Sequence, residues 1–204
     1  MCGRFFRDIT WDQYLQWLRL IAPLTPQNDP SEMDIRPTTF QWVARSADGG
    51  FTLERLRWGL VPFWHKGNLK SFKLTTFNAR AENIVTAPVF REAFKHKRCL
   101  VPATGWYEWT GEKGRKTKWA IARPNGAPFM FAGLWDAWTS PTGERLESFT
   151  IVTQAAVGAI AAHHTRAPVV LEDAQWDDWL TDPARAAALV AAPIGDRFSF
   201  TRAD

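Results

Sequence analysis

The sequence predicts one α+β domain over residues 1–204, a mostly antiparallel, barrel-like sheet core with several peripheral helices. Three observations lead there. Short alternating apolar stretches, punctuated by turn residues, recur between Phe40 and Val152. Helical stripes lie near both ends of the chain. No repeat, low-complexity tract or linker divides the chain, and 204 residues suffice for one proper core.

Taken in order, Thr10-Trp11-Asp12-Gln13 reads as a capping box, with Thr10 as the cap and Gln13 reaching back to it. Trp11, Leu15, Leu18 and Ala22 then follow at helical spacing until Pro23. Four prolines between 23 and 38 make that stretch a loop. Phe40, Trp42 and Ala44 alternate, Asp48-Gly49-Gly50 turns, and Phe51 and Leu53 alternate back, so residues 40–58 form a hairpin. Gly67 to Phe77 is polar, basic and exposed. After Pro88, Val89, Phe90, Ala93 and Phe94 make a helical stripe, with Lys95-His96-Lys97-Arg98 at its negative end. Strands follow at Cys99–Thr104, Trp119–Ala122, Phe129–Trp135 and Phe149–Val152, with Gly111 to Lys118 as a basic hairpin tip. Helices close the chain at Ala174–Leu180 and Pro183–Ala192, the latter capped by Asp182.

Composition narrows the function. No apolar run approaches the ~20 residues that cross a bilayer, and the N-terminus lacks the apolar core of a secretory signal. A cytoplasmic location is therefore expected, with Cys2 and Cys99 as thiols. Twelve tryptophans and fourteen phenylalanines accompany a net charge of +4. Rings beside cations suit single-stranded nucleic acid, where bases stack and phosphates meet Lys and Arg; the same rings also fill cores.

Cys2 is informative through its position. Removal of Met1 before a small residue leaves an α-amine next to a thiol-bearing carbon, and both groups are nucleophiles that are partly deprotonated near neutral pH. Such a 1,2-aminothiol condenses with an aldehyde to an imine and closes to a thiazolidine. The alternative is an inconsequential frayed terminus. Phe77-Asn78-Ala79-Arg80-Ala81-Glu82 gathers polar groups beside an apolar entry; Asn78 also suits a turn. Gly105-Trp106-Tyr107-Glu108-Trp109 sets a carboxylate among aromatics, which raises a carboxyl pKa unless the strand is exposed. His163-His164-Thr165-Arg166-Ala167-Pro168 offers imidazoles, either functional or solvated. The pair lacks the Cys or carboxylate spacing of a metal site, so neither metal nor cofactor is expected.

Six segments in order, Met1–Phe5, Trp58–Trp64, Asn78–Glu82, Cys99–Ala103, Gly105–Trp109 and His164–Pro168, closely resemble the SRAP family, the SOS response-associated peptidase domain. The resemblance runs from residue 2 to about 171. It implies processing of abasic sites in single-stranded DNA through a thiazolidine cross-link at the mature N-terminal Cys2, with strand cleavage by a lyase step where the imine is not intercepted. It further implies that Asn78, Glu108 and His164 are catalytic, that Arg4, Arg80 and Arg166 hold the DNA backbone, and that Trp64 stacks on a base. A damage-response role follows from the same likeness, and a monomer is expected. Basic stretches at Lys66–Lys73 and Lys113–Lys118 either extend the DNA surface or aid solubility.

The chain departs from the family's pattern at Asp34 and Arg36, where Asn and Ala are usual, and at Ala167, where Met is common. Two other functions stand beside this reading. A cysteine peptidase would use Cys2, His164 and Asn78 as a nucleophilic set. A non-catalytic single-strand binder would need only the arginines and rings.

Overall fold

The computed structural model describes residues 2–10, 13, 17–18, 32–48, 50–195 and 197–203. Its centre is a closed barrel of five strands. These are β3 (Phe40–Ala47), β4 (Gly50–Trp58), β6 (Arg98–Ala103), β9 (Phe129–Thr139) and β10 (Arg145–Ala155). Antiparallel pairs join β4 to β3, β3 to β6, β6 to β9 and β9 to β10, and a short parallel pairing of β10 with β4 closes the ring. The hairpin predicted at 40–58 is present, in register from Phe40↔Arg57 to Ala47↔Gly50.

Short strands decorate the barrel. β5 (Asn78–Arg80) runs parallel to β10, β11 (Arg166–Pro168) runs antiparallel to it, and β12 (Val170–Leu171) pairs with β9. A second, wholly antiparallel sheet comprises β1 (Phe5–Arg7), β2 (Glu32–Ile35), β7 (Gly105–Thr110), β8 (Thr117–Ala122) and β13 (Ser199–Arg202), in the order β13-β8-β7-β1-β2. Helices among the described residues include α1 (Arg91–His96), α2 (Gly158–Ala161), α3 (Trp176–Thr181) and α4 (Pro183–Ala191).

The barrel wall is covered on both faces, which explains its apolar composition. Ala44, Phe51, Leu53 and Leu100 pack with Phe94, Trp176, Trp179 and Val190 of the helices. Val43, Leu56, Trp58, Phe131 and Phe149 pack with Phe5, Trp106 and Ile121 of the second sheet. Edge-to-face rings fill this second layer, among them Phe5 on Trp58 at 5.1 Å and Trp106 on Phe198 at 5.0 Å. Strict alternation would bury Phe40, but it is 46% exposed at the strand's start.

Local signals translate directly. Thr10 N donates to Gln13 Oε1 at 2.7 Å and Gln13 N to Thr10 Oγ1 at 3.3 Å, the reciprocal bonds of the capping box. Trp11, Leu15 and Ala22 lie outside the described residues. Asp182 caps α4, its Oδ1 accepting from Ala184 N at 2.8 Å and Arg185 N at 3.1 Å.

Two expectations are corrected. Glu32–Ile35, assigned to a loop, forms edge strand β2, because its backbone finds partners on β1 at Phe5↔Ile35 and Arg7↔Glu32. Arg98 belongs to β6 rather than to the helix before it. Its buried guanidinium nevertheless reaches the carbonyls of Phe94 and Lys95 on α1 and of Trp179 and Leu180 on α3, so one side chain satisfies two helix ends. Among the described residues, no helix is long and apolar enough to cross a membrane.

Candidate active site

Glu108 lies on β7, between β1 and β8. Side chains alternate along a strand, so Glu108 shares a face with Trp106, which is buried against the barrel. Glu108 is consequently 3% exposed, and its Oε1 has no hydrogen-bond partner. Burial pushes this carboxyl up to about 7, opposed only in part by the positive chain terminus. Gly105, at the start of the same strand, admits Phe6: a Cβ there would lie 2.1 Å from the Phe6 ring.

The pairing of β1 with β7 carries the N-terminal residues to this carboxyl. Phe5 opposes Trp106, and Tyr107 N donates to Arg4 O at 2.9 Å. Continued backward, that antiparallel register runs residues 2 and 3 past Glu108. Cys2 is fully buried in the layer between barrel and second sheet, so it is not a frayed end. Its thiol is raised well above the usual cysteine value, first by burial and then by the negative charge of Glu108. Burial thus works against the partial ionisation expected of this thiol.

Asn78 and His164 are carried by segments that border β10, Asn78 opposite Ile151 and His164 just before Arg166, which opposes Ala155. β5 and β11 flank opposite edges of this strand and meet at Thr153, which opposes both Arg80 and Pro168. Asn78 Nδ2 donates to Phe77 O at 2.9 Å, while its Oδ1 is buried without a partner. His164 Nδ1 lies 2.9 Å from Arg166 N and 3.1 Å from Arg166 O, within bonding reach of both. Its pKa is lowered, chiefly by burial and then by the positive chain terminus. His163 has other work, stacked 4.4 Å from the Phe200 ring and edge-on to Trp119 at 4.9 Å.

The cations are held differently from one another. Arg4 Nε lies 3.5 Å from Asp34 Oδ1, and its guanidinium sits 5.4 Å from the Trp109 ring centroid. Arg166 binds both oxygens of Glu82 and donates to Thr153 O at 2.6 Å. Arg80 is exposed at the start of the 3-10 turn Ala81–Asn83. Trp64 stands on the loop after β4, 38% exposed, with Nε1 donating to Pro88 O at 3.3 Å.

Sequence reasoning left Glu82 without a role, although it belongs to the Asn78–Glu82 segment; only folding reveals it as the partner of Arg166. The departures also become intelligible. Asp34 on β2 and Arg36 just after it bond to each other, and that hydrogen bond lowers the Asp34 carboxyl, with Arg4 contributing. Ala167 is fully buried on β11, opposite Gln154. Among the described residues, no group of three or more His, Cys, Asp or Glu is gathered as metal ligands.

The buried Cys2 thiol and the raised Glu108 carboxyl thus lie together between the barrel and the second sheet. The chain belongs to the SOS response associated peptidase (SRAP) family, whose model it matches over residues 1–202. Its relatives include the abasic site processing protein YoqW of Bacillus subtilis, 31% identical over 90% of this chain and 83% of that protein. The abasic site processing protein YedK of Escherichia coli is 30% identical over 88% and 79%. Among solved structures, a protein from Bordetella bronchiseptica superposes with a TM-score of 0.85 at 25% identity, covering all of both chains. One from Bacteroides thetaiotaomicron gives 0.84 at 25% identity over 98% and 91%.

Proposed function

We propose that this protein processes abasic sites in single-stranded DNA by joining its mature N-terminus to the sugar aldehyde as a thiazolidine. One observation carries the reading: the Cys2 thiol is sealed in the protein beside Glu108, a carboxyl brought to about 7. Half-protonated at neutral pH, Glu108 can donate a proton to open the closed sugar and accept one back later.

The chemistry balances without a cofactor. Removal of Met1 frees the Cys2 amine, which adds to the C1′ aldehyde to give a carbinolamine. Loss of water, with His164 moving the proton through Nε2 because Nδ1 is held by the Arg166 backbone, leaves the imine. The thiol sulfur then bonds to the imine carbon while its proton passes to the nitrogen. One aldehyde, one amine and one thiol become one thiazolidine and one water. Keeping the thiol neutral until this step spares it from competing reactions. An imine left open would instead permit β-elimination and strand cleavage, the lyase side reaction.

Asn78 orients the adduct with its unpartnered Oδ1. Arg4, Arg80 and Arg166 serve the phosphates, and Trp64 serves a flanking base, so binding is independent of sequence. The protein acts as a monomer. A Cys-His-Asn peptidase fits less well, because the charged side chain acting on the Cys2 thiol is Glu108.

The test is the intact mass of the protein after incubation with a single-stranded oligonucleotide carrying one abasic site. A heat-stable species at protein without Met1, plus DNA, minus one water, and mapping to Cys2, is expected. An adduct undiminished in Cys2→Ser would overturn the thiazolidine.

A further inference from the structure

Phe63 and Trp64 stand side by side on the loop leaving β4, and Phe63, at 52%, is the more exposed of the two. Leaving apolar rings in water forgoes the stabilisation of burial, so paired exposed rings call for a ligand. The backbone beneath them is tightly held. Gly59 N donates to Phe149 O at 2.8 Å, Val61 N to Ser148 Oγ at 2.8 Å, and Trp138 Nε1 to His65 O at 2.7 Å. Behind Phe63 lies Asp136 of β9, only 2% exposed. Its Oδ2 accepts the Phe63 N–H at 2.9 Å, and its Oδ1 accepts Ala137 N and Lys97 Nζ.

A buried carboxylate is costly unless fully partnered. Here one carboxylate oxygen holds the loop and the other holds Lys97, whose ammonium also lies 5.6 Å from the Phe63 ring centroid. The protein thus rigidifies a ring that it leaves in solvent. The two rings open, with Pro88, Arg91 and Glu92, onto a cleft of about 560 Å³, within the size range of small-ligand sites. Arg91 lines the cleft with its Nε 3.6 Å from Glu92 Oε1, and Lys97 stands by the Phe63 ring, held to Asp136. Flat apolar faces with a guanidinium at the rim match an unstacked nucleobase and its phosphate.

We propose that Phe63 is a second base-stacking residue beside Trp64, and that Asp136 is the positioning residue that holds it. This rests on the single-stranded DNA reading above and extends it to a residue outside the catalytic set.

The experiment uses a single-stranded oligonucleotide with 2-aminopurine next to a tetrahydrofuran abasic analogue, which has no aldehyde and cannot cross-link. The wild type should quench 2-aminopurine on binding. Phe63→Ala should raise Kd by about 5- to 150-fold, the worth of one stacked base, and Phe63→Trp should restore binding. On authentic abasic DNA, Asp136→Asn should raise the half-saturating concentration while the saturated rate holds, as displacement of the ring predicts. Unchanged Kd and quenching in Phe63→Ala would overturn the proposal and mark the rings as a site for a protein partner. A wild type that forms no adduct, yet loses quenching in Phe63→Ala, would leave the stacking site standing and remove the cross-linking function instead.

Discussion

Arg166 and Glu82, 84 positions apart in sequence, meet in a two-pronged ion pair, Nη2 lying 2.9 Å from Oε2. Arg166 is mostly buried, while Glu82 reaches solvent. The carboxylate occupies the face of the guanidinium that a phosphate would take, since both anions match its planar fork. Glu82 therefore presets Arg166 and competes for it.

Glu82→Gln should bind intact single-stranded DNA more tightly, with a salt dependence steeper by up to about one released counterion. A salt titration of Kd checks this. Weaker binding would show instead that Glu82 is needed to aim Arg166.

Glu108 has a folded-state pKa raised above its unfolded value of ~4.3. The folded protein thus binds the extra proton. Stability from this group is fully present below pH ~4.3 and lost as pH rises through about 7. Glu108→Gln, which cannot ionise, should match the wild type in acid and gain on the order of 3 kcal/mol over it by pH 8. Urea titrations at several pH values measure the gain; a constant difference would refute the shift. The same variant should slow adduct formation by ~100-fold or more.

The neighbouring histidines should separate cleanly. His163→Ala removes the stack on Phe200 and the edge contact with Trp119. It should lower Tm by a few degrees through β13, with the adduct forming at the usual rate. His164→Ala should slow the adduct and leave Tm nearly unchanged. Thermal melts run beside adduct kinetics give both readings.

Arg98→Met should cost about 3 kcal/mol, because four carbonyls on two helix ends lose a charged donor inside the protein. The midpoint of urea unfolding is the measurement. A loss below ~1 kcal/mol would mean that water replaces the guanidinium.

Legibility in the sequence followed range. The Thr10–Gln13 box, the 40–58 hairpin and the Asp182 cap were readable because each is settled within a few residues of itself. Strand β2, the β13–β8 pair and the parallel closure of β10 on β4 were not, since their partners are tens of residues away. Phe40 misled for a related reason: alternation states which residues share a face, not whether that position is covered. At the site, aromatic neighbours announced the raised carboxyl of Glu108. Glu82 as the partner of Arg166, and Asp136 beneath Phe63, had no local signature.

The sequence by itself determined the chemical inventory: a cysteine one residue from the start, one carboxylate amid three aromatics, an Asn-Arg-Glu segment and a His-Thr-Arg run. Tertiary structure alone decided the state of each group. It seals Cys2 from water, sets Glu108 near neutrality on the inner face of β7, assigns His163 to packing and ties Arg166 to Glu82. The reason is electrostatic. A side chain's proton affinity and reach depend on the solvent excluded around it and the charges placed beside it, and both are supplied by residues remote along the chain.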